Sequence, residues 1–363
     1  MHILFHLGHP AHYHLFKNSI KELKKNHKIS ILIKKKDILE DLLVEDGIKY
    51  VNILPDGRKD SKFGIFFGLL KSDFKIFFFS LKNKPDLLVG TSPNIAHVGK
   101  LLNIPSINVN EDDADVVPLY AKISYPFSTE IVTPIACDNG KWNNKSIKYN
   151  SYHELAYLHQ NNFTPSKEKI KKLIDLDKPY FVLRFAKLTA HHDEGISGFS
   201  DRLAMDVIEL LKAKGSVYIT SERELLPQFE KYRLAVKLTD IHDVLYYSSM
   251  YIGDSQTMAA EAAVLGTPSI RFNDFVGKIG YLEELEKKYD LTIGIKTNEK
   301  EKLLNTIKKI INTENIKDNW AIKRDKMLAE KIDAAKFFTW FVENYPQSAK
   351  IMKENPEYQN KFK

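Results

Sequence analysis

The feature that most narrows the fold of this chain is a rhythm. HILFHLG (His2–Gly8), KISILIK (Lys28–Lys34), YVNIL (Tyr50–Leu54), PDLLVG (Pro85–Gly90) and PSINVN (Pro105–Asn110) are short apolar runs, most closed by glycine or a polar residue. Such runs read as strands. The stretches between them have helical spacing: Leu15, Ile20 and Leu23 share one face, and ILEDLLVEDG stops at Gly47. Strands that alternate with helices build a parallel sheet covered on both faces. The rhythm fades between about Asn110 and Lys178. It then resumes with YFVLRF, SVYITS, AVKL, MYIGDS and PSIRF as strands, and DRLAMDVIELLKAKG and IHDVLYYSS among the helices. The expected fold class is α/β, with two Rossmann-like doubly wound domains facing a central cleft. In such sheets ligands gather at the carboxyl ends of the strands.

A chain of 363 residues exceeds what one core usually organises. The pattern places a first domain at 1–175 and a second at 176–318. A helix at 319–345, rich in Phe337, Phe338, Trp340 and Phe341, is expected to pack back on the first domain. Residues 346–363 read as a loose polar tail.

Net charge is +7, carried mainly by lysine, and there is one cysteine, Cys137, so no internal disulfide forms. The opening MHILFHLGHPAH has no basic leader, and the expected location is cytoplasmic, with the inner face of the membrane open. FGIFFGLLKSDFKIFFFSL (Phe63–Leu81) carries Lys71, Asp73 and Lys75 at its centre, which argues against a span and for a buried or membrane-facing amphipathic helix. No nucleic-acid motif accompanies the basic balance. It suits solvated lysine-rich faces, an anionic membrane surface or an anionic ligand. Oligomeric state is open.

The sharpest motif is GDSQTMAAEAAVLGTP (Gly253–Pro268). After the strand MYIGD (Met250–Asp254), Ser255 or Gln256 caps a helix whose first amides lack intrahelical partners. Those amides and the helix dipole form an anion site, and Ser255, Gln256 and Thr257 add side-chain donors of little bulk. Glu261 lies one turn beyond Thr257 on the same face, placed to accept from vicinal ribose hydroxyls. Gly266 and Pro268 stop the helix. The same pattern also reads as a capped helix packed tightly on its sheet.

This arrangement resembles the sugar-nucleotide site of GT-B glycosyltransferases, and more so that of non-hydrolysing UDP-N-acetylglucosamine 2-epimerases. There an Asp-Ser-Gly-Gly start holds the diphosphate and a glutamate placed like Glu261 binds ribose; here Gln256-Thr257 stands for the glycine pair. The whole chain resembles the GT-B-like proteins of domain of unknown function 354. The matching segments are GHPAHYHLFKN, YHELAYLH, LRFAKLTAHHDEGISG, ITSE, IGDSQTMAAEAAVLGTPSIRFNDFVGK and YLEELEKKY. The resemblance implies a GT-B fold and a UDP-sugar substrate.

Other strand ends supply further candidates. His9 and His12 follow the first strand, where each reads as a general base, an acceptor or phosphate ligand, or a capping residue around Pro10. The HxxHxH spacing has metal-ligand types but no carboxylate or cysteine beside it, and no metal is expected. NEDDAD (Asn110–Asp115) follows the fifth strand; crowding there drives carboxyl pKa values apart, which suits an acid and a base. The epimerase resemblance implies a catalytic role for Glu111; Asp112 or Asp113 could serve instead, and the segment also reads as a solvated acidic loop. Arg184 is a phosphate fork. His191, His192 and Asp193 follow it, with His192 the catalytic candidate. Ser221, Glu222, Asp254, Arg271 and Asn273 end other strands, and the GT-B resemblance places His242 near the base. YHELAYLH (Tyr152–His159) reads as a linking segment. The expected function is sugar-nucleotide-dependent glycosyl transfer to a polysaccharide, glycan or lipid-linked acceptor, as in polysaccharide biosynthesis, with no metal or other cofactor. The alternatives are hydrolysing or non-hydrolysing 2-epimerisation of UDP-N-acetylglucosamine, and non-catalytic binding of a sugar nucleotide.

Overall fold

The apolar runs become strands in a computed structural model that describes residues 1–36, 38–57, 62–186 and 198–363. The chain divides into two compact units, Met1–Asn162 with Ile332–Lys363, and Phe163–Lys331.

In the first unit, β1 (His2–Leu7), β2 (Lys28–Lys34), β3 (Val51–Leu54), β4 (Leu87–Gly90), β5 (Ser106–Val109), β6 (Glu130–Pro134) and β7 (Ser146–Tyr149) form a parallel sheet. Its order is β3-β2-β1-β4-β5-β6-β7. The chain winds outward from β1 to β3, then returns to lay β4 on the other side of β1. Central strands β1 and β4 are buried throughout, which explains why they are mostly apolar. Sequence patterning missed β6 and β7 because EIVTP opens on a charge and closes on proline, while the edge strand SIKY alternates buried and half-buried residues.

In the second unit, β8 (Tyr180–Phe185), β9 (Ser216–Ser221), β10 (Met250–Gly253), β11 (Ser269–Phe272) and β12 (Thr292–Ile295) form a parallel sheet ordered β12-β11-β10-β8-β9. Its core joins Leu183, Val207, Ile219, Ile252, Ile270 and Ile307. The segment AVKL is not a strand. The chain makes one bridge, Ile219 to Arg233, then runs along the edge with alternating exposed and half-buried residues. β12 was not expected; TIGI is short and carries a glycine.

The expected helix at 319–345 is two helices, Ile316–Glu330 in the second unit and Ala334–Glu343 in the first. The break falls at Asp333, which caps the latter by accepting from the amides of Ala335 and Lys336. Phe337 and Phe338 then pack on Tyr149, with centroids 5.5 and 5.0 Å away. The segment after Pro346 is not loose. It forms a helix at Gln347–Glu354 and a 3-10 turn at Pro356–Phe362, and buries Met352, Gln359 and Phe362.

Candidate functional site

Sheet order fixes where a ligand would lie. In each sheet the crossovers change direction once, between β1 and β4 in the first unit and between β8 and β10 in the second. The loops leaving such a pair part from each other and open a crevice at their carboxyl ends. Both crevices carry chemistry.

In the first unit the loops after β1 and β4 bring imidazoles and hydroxyls together. β1 and β4 approach so closely that a Cβ on Gly90 would lie 2.6 Å from the His6 carbonyl oxygen. Buried His6 has Nδ1 2.6 Å from Ser92 Oγ. Burial, with the Lys34 ammonium nearby, pushes the His6 pKa down to about 3. His9 caps the helix Pro10–Leu23 and accepts from the Ala11 amide at 3.2 Å. The ring of half-buried His12 sits 5.9 Å from that of His9. Its Nδ1 accepts from the Gly8 amide at 3.2 Å, which puts the proton of the neutral ring on Nε2, and Thr91 Oγ1 lies against the ring, 2.5 Å from Nδ1 and 2.7 Å from Nε2. Burial and then the positive neighbours His9, Lys34, His153 and His6 lower the His12 pKa well below the ordinary value.

The acidic loop after β5 contributes Glu111, whose Oε2 lies 3.3 Å from Nδ1 of His153. With its ring proton on Nδ1, toward that carboxylate, a neutral His153 keeps the lone pair on Nε2. That Nε2 is buried and has no hydrogen-bond partner among the described residues. Burial lowers the His153 pKa to about 3, with Asp112 acting weakly the other way. Asp112 is half-buried, and its carbonyl accepts from the Asn110 side chain at 3.0 Å. Sequence reasoning named the segment containing His153 without singling out the residue. Its signal was a histidine a few residues past β7; the polar pair Thr91-Ser92 at the end of β4 was a second strand-end signal left unused.

In the second unit Asp254 closes β10 and bridges to the β8 side. Its Oδ1 accepts from the Ala186 amide at 2.6 Å and its Oδ2 from the Phe199 amide at 3.2 Å. Burial raises its pKa, with those two amides and Arg223 opposing. Asn273, from the end of β11, donates to the Asp254 carbonyl at 3.2 Å. Ser255 caps the helix Gln256–Val264 and accepts from the Met258 amide at 3.4 Å. The next residue is unusual. Both polar atoms of the Gln256 side chain are buried and have no hydrogen-bond partner among the described residues. Leaving such groups unpaired costs about 1–3 kcal/mol each, so a ligand with matching groups would recover that energy. Thr257 is half-buried in the same first turn. Gly266, at φ +75°, ends the helix in the left-handed conformation that favours glycine.

The remaining candidates are engaged within the fold. The Arg184 guanidinium reaches Thr220 Oγ1 at 2.7 Å and pairs with Glu222. Ser221 closes a local turn with Arg223. Glu261, expected at a ribose, is buried and lies 3.0 Å from Nε2 of His242, on the neighbouring helix. Arg271 departs most from expectation. It is wholly buried, and its Nη2 lies 2.5 Å from Glu286 and 3.3 Å from Glu283 of the helix Gly280–Lys287, an ion pair inside the fold. His191, His192 and Asp193 lie outside the described residues. Among the described residues no group of three or more His, Cys, Asp or Glu side chains is placed to hold a metal ion.

Two doubly wound parallel α/β units on one chain define the GT-B class, and solved structures agree. MnaA of Staphylococcus aureus, in a co-structure with UDP, matches with a TM-score of 0.68 at 13% identity, over 96% of this chain and 97% of that one. The UDP-GlcNAc 2-epimerase of Neisseria meningitidis, bound to UDP-GlcNAc, matches with a TM-score of 0.64 at 13% identity, over 94% and 100%. The glycotransferase of kitacinnamycin matches with a TM-score of 0.59 at 10% identity, over 94% and 98%. No curated protein matches the sequence. The chain belongs to the DUF354 family, described as a protein of unknown function, whose model matches residues 1–334.

Proposed function

We propose that this chain is a glycosyltransferase that binds a nucleoside diphosphate sugar, UDP-linked in the simplest reading, and transfers the sugar to a hydroxyl of a glycan or lipid-linked acceptor. The observation that carries the nucleotide reading is the Gln256 amide at the start of its helix, buried and without a hydrogen-bond partner among the described residues, beside the β8/β10 switch point. Structural neighbours that hold UDP or UDP-GlcNAc support the same ligand class.

In this reading the second unit holds the donor. The helix-start amides, Ser255, Gln256 and Thr257 take the diphosphate and Arg184 adds charge, while Glu261 holds His242 of the neighbouring helix. The first unit supplies the base. His153 Nε2 accepts the acceptor's hydroxyl proton, the acceptor oxygen bonds to C1 of the sugar, and the C1–O bond to the diphosphate breaks. The leaving anion keeps the bonding pair and is stabilised by the helix start. Glu111 orients His153 and stabilises the imidazolium that forms. His12 presents an Nε2–H, and exposed His9 lies beside it. Asp254 acts as a positioning residue, and Arg271 braces the fold through Glu283 and Glu286.

A second reading is 2-epimerisation, which removes and returns a proton at C2 while UDP leaves and re-adds. The carboxylate–imidazole couple of Glu111 and His153 favours it, because one group in the couple takes a proton and its neighbour balances the charge. Proton NMR of the protein with UDP-N-acetylglucosamine and no acceptor separates the readings. Glycosyl transfer leaves the sugar unchanged but shows saturation transfer from the protein. A new epimer, or free UDP with N-acetylmannosamine, establishes the second reading. Absence of any saturation transfer, with this and every other nucleotide sugar tried, overturns both.

A further inference from the structure

The helix Lys62–Asn83 has two faces of opposite kind. Inward, Ser72, Ile76 and Ser80 are buried, and Asp73 is held by Asn94 at 2.7 Å and His97 at 3.0 Å, both from the helix Pro93–Leu102. Outward, Phe63, Phe66, Phe67, Leu70, Phe74, Phe78 and Leu81 stand between 36% and 78% exposed. The positions 63, 67, 70, 74, 78 and 81 step by three or four, so they form one straight stripe. From Phe63 to Leu81 that stripe runs for about 27 Å. Isolated exposed apolar residues need no explanation, but a continuous aromatic stripe of this length marks a contact surface.

Charge selects the partner. Exposed Lys71, Lys75 and Lys82 each follow an apolar stripe residue, so they line one flank, about 100° round the helix. The helix has a single acid, Asp73, and that one is turned inward and paired. A second copy docked on this face by a two-fold axis would set lysine flank near lysine flank with no carboxylate from the helix between them. An anionic partner meets no such cost. The face is convex, apolar at its crest and basic along its side, which is the arrangement of a helix lying in the headgroup layer of an acidic bilayer, where long lysine side chains reach the phosphates. Among the described residues no helix is long and apolar enough to cross a membrane, so the contact is peripheral.

We infer that the Lys62–Asn83 helix is a membrane-docking surface that seats the first unit on anionic phospholipid. This rests on the exposed stripe and its lysine flank, and does not depend on the sugar-nucleotide reading. The test is co-sedimentation of the full chain with vesicles of phosphatidylcholine alone and of phosphatidylcholine with one quarter phosphatidylglycerol. The protein is expected in the pellet with the acidic vesicles and in the supernatant with the neutral ones, with binding weakened by salt. F67S/F74S/F78S and K71E/K75E are each expected to bind about tenfold more weakly or worse, with melting temperature unchanged. A readout that does not rely on these variants folding uses F78C. The native Cys137 is buried, so a thiol-directed environment-sensitive dye labels the new site, and its emission should shift to the blue on acidic vesicles. Wild-type protein that stays in solution with acidic vesicles overturns the inference. So does binding that the serine and glutamate variants leave intact. So does a dimer that the serine variant dissociates while vesicles go unbound, which would assign the stripe to a second copy.

Discussion

Asp254→Asn removes one formal charge and one acceptor at the β8/β10 switch point, and its consequences follow from two hydrogen bonds. The carboxylate takes the Ala186 amide on one oxygen and the Phe199 amide on the other, so it ties together the residues on either side of 187–197. A hydrogen bond to a charged group contributes about 1.5–3 kcal/mol. Asparagine keeps one bond, without charge assistance, and turns an amide NH2 toward the other backbone N–H, which it cannot accept. The loss is partly offset, because burial already opposes ionisation of Asp254 and a neutral side chain avoids that desolvation. The net expectation is a loss of about 1–3 kcal/mol from the second unit. Urea unfolding followed by the fluorescence of Trp320, the tryptophan of that unit, measures it. Affinity for a nucleoside diphosphate should fall in parallel, because Asp254 directly precedes the Ser255 cap of the helix start. A D254N protein within about 0.5 kcal/mol of wild type, with unchanged affinity, would refute the clamp.

Further outcomes are expected. Glu286→Gln leaves the buried Arg271 guanidinium without its nearest carboxylate, and should cost about 3 kcal/mol in urea unfolding while leaving nucleotide affinity unchanged, since Arg271 is braced within the fold. His6 and His153 have folded-state pKa values of about 3 against 6.5 for an unconstrained histidine. The unfolded chain therefore binds their protons first, and the stability they support above about pH 6.5 is lost as pH falls toward 3. Between neutrality and about pH 5 each should remove about 2 kcal/mol from the first unit, and His6→Asn should reduce the total loss by about that amount in pH-resolved denaturation. His153→Ala should lower turnover by about a hundredfold to ten-thousandfold with the donor KM within a few-fold, and Glu111→Gln should lower it less; a large KM change with constant turnover would assign the pair to binding.

Legibility in the sequence followed burial. β1, β4, β8 and β10 lie inside their sheets, are largely buried and are mostly apolar, so the alternating pattern and the two units could be read directly. β6, β7 and β12 lie toward sheet edges, where SIKY and TIGI carry too few apolar residues to stand out, and AVKL has a strand's composition but runs along an edge after a single bridge. The start of the Gln256–Val264 helix was legible because capping chemistry is local. Roles set by long-range partners were not. Nothing near Arg271 in the chain shows that Glu283 and Glu286 will fold over it, and nothing near Glu261 shows His242 beside it. His153 acquires its meaning only from Glu111, a residue forty positions away across β6 and β7.

The central claim is that the start of the Gln256–Val264 helix binds the diphosphate of a nucleotide, and isothermal titration calorimetry of UDP into the wild-type and Gln256→Leu proteins tests it most directly. Saturable binding by the wild type, weakened by about tenfold or more in the variant while the variant's stability holds or rises as its buried amide is removed, is the result the account requires. Equal affinity in the two proteins, or no binding by the wild type to UDP or any other nucleoside diphosphate, would contradict it.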